Sequence, residues 1–225
     1  MEWKTILGIT TAGLIAIIVG VLVTPKMSME ERTNLPWKIT VHPDGSSQVF
    51  GLILGRSTLA DAIHRIGEHP EITLFVSQQG DKMVEAFFEE VKLGGIRAKM
   101  VVTIALEKEQ IEGMYKRGLR VSKSSSGNRK VELHPEDVRQ IKQTAIAGIT
   151  YLPRYDLDSD TVIRLFGHPA KRIQEEEGTI VHWIYPEKGL DIALSASEKD
   201  VLQYVEPARF EQLLEPLERT GKSLD

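Results

Sequence analysis

The sequence predicts an α+β fold: an N-terminal transmembrane helix followed by two related modules, each a helix plus an antiparallel sheet. Three observations carry this. An uncharged apolar stretch of eighteen residues stands close to the N-terminus. Two short segments with helical spacing, 58–67 and 158–167, lie one hundred residues apart. Each is followed by runs rich in β-branched and aromatic residues that turn residues separate.

The apolar stretch, ILGITTAGLIAIIVGVLV, opens on Ile6 and closes on Val23, with Lys4 before it and Thr24, Pro25 and Lys26 after it. At the helical rise it spans roughly 27 Å, close to the ~30 Å of a bilayer core. Trp3 sits where an interfacial aromatic is expected. No small-residue cleavage pattern follows the stretch, so an anchor is expected over a removed signal. A tail this short before a single span stays in the cytoplasm. The expected location is the cell inner membrane, single-pass, with the globular part periplasmic or otherwise extracytoplasmic. The expected domains are an anchor (1–25), a tether (26–48), a first α+β module (49–133) and a second with a C-terminal tail (134–225).

Beyond the anchor the composition is that of an ordinary globular chain, 41% hydrophobic and 27% charged. A net charge of −4 and a pI near 5.9 argue against nucleic acid as a partner. The absence of cysteine removes disulfides, thiol nucleophiles, thiolate metal sites and an acylation site for a lipoprotein. Residues 25–48 are polar and rich in turn formers; Pro36-Trp37 would dock this tether on the first module, with Trp37 packing.

In the first module Thr58 caps a helix whose apolar side holds Ala62, Ile63 and Ile66, and Gly67 stops it. Strands are expected over 72–76, 84–91 and 98–106, with a hairpin turn at Gly94-Gly95. Helices follow over 108–117 and 135–147, the second carrying Pro135, Glu136 and Asp137 in its first turn. Between them 122–130 reads as a flexible basic loop. In the second module Asp158 caps a helix bearing Val162, Ile163 and Phe166 before Gly167. A meander over 172–176, 179–185, 190–195 and 201–205 follows, then a short helix over 208–214.

The segment DSDTVIRLFGHP (158–169), with the later VHWIYP and GLDIALS, resembles the small-protein-A/OmlA (BamE-like) family of envelope lipoproteins. LGRSTLADAIHRIG in the first half resembles the same helix start more faintly, with Gly55 and Thr58 at the family's Gly-Met-Thr. The two together span about half the chain. Members of that family are lipidated single modules, whereas here a helix would replace the lipid. The resemblance implies an envelope-facing binding or assembly role, without implying a part in β-barrel assembly.

Six histidines, His42, His64, His69, His134, His168 and His182, show no metal-ligand spacing. No serine stands in a nucleophile elbow, and Gly94-Gly95 lacks the lysine and helix of a phosphate loop. The acids Glu89-Glu90 and Glu175-Glu176-Glu177 alternate faces on a strand, so they read as solvated. The basic stretch 123–130 could meet anionic headgroups, a solvated loop being the simpler reading. No catalytic residue, cofactor or metal is expected. The expected function is a membrane-anchored extracytoplasmic binding or assembly protein without catalysis, holding the membrane through Ile6 to Val23 and a protein partner in the envelope. Its partner surface is expected around Phe87, Phe88, Trp183, Tyr185 and Tyr204, any of which packs equally well into a core. Adjacent Phe87 and Phe88 must place one ring on each sheet face. Two other readings stand beside it: an accessory subunit packing through its single helix, where Gly8, Gly13 and Gly20 allow close approach, and a hydrolase built from histidine and carboxylates.

Overall fold

The computed structural model describes residues 34–123, 127–176 and 178–224. Residues 6–23, on which the transmembrane expectation rests, lie outside them. No helix among the described residues is long and apolar enough to cross a membrane, so the single-pass inner-membrane expectation is set aside.

The expected fold class is corrected as well. The described chain is mostly antiparallel sheet, with fourteen strands and five helices. A small three-stranded sheet comes first, from β1 (Thr40–Val41), β2 (Ser47–Val49) and β3 (Leu52–Ile53). It occupies the end of the stretch expected as a tether. Helix α1 (Leu59–Ile66) leads into β4 (Glu71–Val76), β5 (Lys82–Leu93) and β6 (Ile96–Ile104). Helix α2 (Lys108–Arg117), the hairpin β7 (Arg120–Lys123) and β8 (Arg129–Glu132), and helix α3 (Pro135–Lys142) precede β9 (Ile146–Pro153). Helix α4 (Ser159–Phe166) leads into β10 (Lys171–Gln174), β11 (Ile180–Tyr185), β12 (Leu190–Ser195) and β13 (Val201–Val205). Helix α5 (Phe210–Thr220) and β14 (Lys222–Ser223) end the chain.

Strands β4 to β14 form one sheet of eleven, in the order β14-β10-β11-β12-β13-β9-β6-β5-β4-β8-β7. Two separate sheets were expected, and β9 is what joins them. It pairs with β6 on one side, Val101 opposite Thr150, and with β13 on the other, Gln203 opposite Thr150. Its first two residues fall within the helix expected over 135–147, and no element was expected over 148–153. The helix instead ends at Lys142, where Thr144 turns its hydroxyl back to the Gln140 carbonyl at 3.0 Å. The β-branched Ile146, Ile149 and Thr150 then favour a strand.

The helices that open each meander are built alike. Thr58 accepts from the Asp61 amide at 3.2 Å while the Asp61 carboxylate accepts from the Thr58 amide at 2.7 Å, a reciprocal cap. Asp158 accepts from the Thr161 amide at 2.7 Å. Gly67 and Gly167 close the two helices, each donating its amide to the carbonyl of Ile63 or Ile163 at 2.9 Å. Strands β4, β5, β6, β9 and strands β10, β11, β12, β13 occupy equivalent places on either side of the β9–β13 seam.

One face of the sheet carries the main core. Strand alternation places Leu74, Val84, Phe88, Met100, Ile149 and Tyr151 on it from the first half. Tyr204, Leu190, Ile192, Trp183 and Tyr185 continue the same face through the second half. Phe50, fully buried with a φ of 54°, is wedged at the seam, its ring 4.9 Å from that of Tyr151 and 5.6 Å from that of Tyr204.

Candidate protein-docking face

The opposite face of the eleven-stranded sheet follows from the same register. Row by row it presents Phe87, Val101, Thr150, Gln203 and Asp191, and beside them Thr73, Glu85, Thr103, Gly148 and Val205. At one end of this face α5 closes it. Phe210 of α5 packs with Ile173 and Ile184 of the sheet, and Val205, Leu213, Leu214 and Leu217 complete the cluster. The amphipathic spacing of Phe210, Leu213, Leu214 and Leu217 supplies the apolar stripe. The helix was expected over 208–214 only; it runs on through Pro216, whose carbonyl accepts from the Thr220 hydroxyl at 3.1 Å.

At the other end no element among the described residues lies over the sheet. Phe75, Phe87, Val101 and Leu152 are half-buried there, and Met83 is 43% exposed. Lysines from the rim reach over the rings: Lys130 Nζ stands 5.4 Å from the Phe75 centroid and Lys99 Nζ 5.8 Å from that of Phe87. Between this open region and α5 runs a groove of about 500 Å³, floored by Thr103, Ala147, Gly148 and Val205 and walled by Met83 and Leu213. Gly148 keeps the floor flat against the neighbouring strand, because a Cβ there would lie 3.0 Å from the Tyr204 carbonyl oxygen.

Glu85 sits in the middle of the open region, across from Thr73 on one side and Thr103 on the other. Among the described residues it has no hydrogen-bond or ion-pair partner. Burial alone raises its pKa. A half-buried carboxylate with nothing to pair it is costly in the free protein and is matched by a cation brought from outside.

Under the edge of α5 lies the second polar feature. His182 Nδ1 is 2.8 Å from Asp191 Oδ2, and its Nε2 is 3.1 Å from Glu175 Oε1. The three come together because His182 and Asp191 lie diagonally on neighbouring strands of one face. Burial works to lower the His182 pKa, but the hydrogen bonds and charges of Asp191 and Glu175 outweigh it and the net direction is up. Both ring nitrogens are thus engaged by carboxylates, and the side chain is 8% exposed, which leaves no nitrogen to serve a substrate. Among the described residues no group of three or more histidine and acidic side chains is placed to hold a metal.

Of the five residues expected at a partner surface or in the core, four lie in the core. Phe88 is fully buried, and Trp183, Tyr185 and Tyr204 are 5%, 4% and 1% exposed in the main core. The Tyr185 hydroxyl donates to the Gly167 carbonyl at 2.9 Å and the Tyr204 hydroxyl to the Pro36 carbonyl at 3.1 Å. They share the helix-covered phase of the strands, whereas Phe87, one residue out of phase, lies on the open face. Glu85 and the His182 cluster were not singled out from sequence. Glu85 carries a weak signal, an acid two residues from Phe87 and therefore on the same face of the strand, between Met83 and Phe87. The His182 cluster carries none, since it depends on strand register.

No protein-family model, curated protein or solved structure matches this chain.

Proposed function

We propose that this protein is a non-catalytic binding module that docks a partner protein on the open end of its sheet. The observation that supports the reading is where α5 stops. One end of the face is closed by an amphipathic helix, and the other offers the same kind of apolar floor with nothing over it among the described residues. The occupant that fits is an amphipathic helix of the partner lying beside α5. Its apolar side covers Met83, Phe87 and Val101, and a lysine or arginine on that side meets Glu85. Exposed apolar patches rimmed by charge are the ordinary mark of such interfaces.

The test compares proteins retained by the full-length chain and by its Phe87→Asp and Glu85→Lys variants, quantified by mass spectrometry. A partner held by the wild type should fall away from both variants while their melting temperatures stay near that of the wild type. Retention of the same proteins by all three would overturn the reading.

A further inference from the structure

Among the described residues, strand β7 ends the eleven-stranded sheet, paired with β8 on one side only. All four of its residues are exposed, and two of the most exposed large apolar side chains of the described chain lie here, Leu119 at 56% and Val121 at 53%. An unpaired edge of this kind offers a row of free backbone donors and acceptors. The other end of the sheet, β14, is two residues long and offers fewer.

The charge around the β7 edge is lopsided. Register places Arg120 and Ser122 on the open side of the sheet, beside Lys130, and Val121 and Lys123 on the helix side, beside Arg129. Against these four cations stand two carboxylates, Glu132 opposite Arg120 and Glu71 at 4.0 Å from Lys130. Arg120, Lys123 and Arg129 have no ion-pair partner among the described residues. A shallow cleft of about 480 Å³ lies beside this edge, across β4, β8 and β7, lined by Glu71, Thr73, Lys130, Glu132, Arg120 and Ser122. Two copies meeting edge to edge would set Arg120 and Lys123 against their own kind, so the edge is guarded against itself.

We propose that β7 captures an extended acidic segment of a partner protein by strand addition. Backbone hydrogen bonds to β7 supply the pairing, and because side chains alternate faces along a strand the segment's alternate carboxylates all meet Arg120 and Lys130 on the open side. Apolar residues between them cover Val121 and Leu119. This contact adjoins the helix-binding face at Lys130 and differs from it in chemistry: it takes an acidic strand, where the other takes a basic amphipathic helix.

The test uses the full-length protein and a capped, fluorescent peptide of alternating Glu and Val, about eight residues long to match a strand. Fluorescence anisotropy at low salt reads binding, and amide hydrogen exchange reads where it occurs. Saturable binding is expected, with slowed exchange over 120–123 and about tenfold weaker affinity in the Arg120→Glu, Lys130→Glu double variant. The Phe87→Asp variant should bind the peptide as the wild type does, which separates this contact from the open face. Equal binding of a matched Lys-Val peptide, binding without protection of β7, or no binding would each overturn the proposal.

Discussion

The two ends of one sheet face are finished in different ways. Under α5 the strands carry Ile173 and Ile184, and Phe210 is driven into them. At the far end the strands carry Phe75, Met83, Phe87 and Val101, and among the described residues only lysine stems lie above them. Both ends obey the same alternation, so the difference lies in what the chain places on top. The polar groups differ in the same sense. Both ring nitrogens of His182 are satisfied, with one oxygen of Asp191, Oδ1, left buried and unpaired among the described residues, while Glu85 on the open end has no partner at all among them. A carboxylate left wholly unpaired is the stronger invitation to a partner.

Substitutions at matched positions test that contrast. Phe210→Ala should cost about 3–4 kcal/mol in denaturant unfolding, because it removes a buried ring and leaves a cavity under α5. Phe87→Ala on the open end should cost about 1 kcal/mol or less, since its ring is already half in water. Equal costs would break the contrast.

A second variant, His182→Gln, should destabilise by about 2 kcal/mol at mildly acidic pH by leaving Asp191 buried without its partner. The folded-state pKa of His182 lies above its unfolded value. Its contribution is therefore fully present below the unfolded pKa, near 6.5, and is lost as pH rises through the folded value. The gap between wild type and variant should narrow on going from pH 6 to pH 9, and a gap that widens would contradict this account of the cluster.

The Tyr204 hydroxyl is a smaller lever. Tyr204→Phe should cost about 1 kcal/mol by taking the hydrogen bond from the Pro36 carbonyl, measurable by thermal melting. Smallest of all is Glu85→Gln. It should leave stability at neutral pH unchanged or slightly raised, because the pKa raised by burial means that the carboxylate opposes folding once ionised. The same variant should weaken partner binding, and a loss of stability instead would mean that Glu85 is paired within the molecule.

Much of this fold was legible in the residues. The caps at Thr58 and Asp158, the glycines that stop α1 and α4, and the turns of both meanders are local chemistry, and local chemistry is written in short windows. Strand β9 was hidden because a helix with good apolar spacing runs directly into it, and the β-branched residues that mark the change come late. The β7–β8 hairpin was read as a loop since its residues are charged and its apolar positions sparse, as befits an edge. The candidate site was legible only in part. That Phe87 and Phe88 part to opposite faces follows from strand geometry, but which face lacks a helix depends on where α5 folds back. The pairing of His182 with Asp191 and Glu175 depends on register, which no single strand reveals.

The most direct test of the docking face places a photo-reactive phenylalanine analogue at Met83, at Val101 and, as a control, at exposed Arg56 of the full-length protein in its native cells. The open-face account predicts one discrete adduct at positions 83 and 101, none at 56, and loss of the adduct when Glu85→Lys is added. Adducts formed equally at all three positions, or none at 83 and 101, would contradict it.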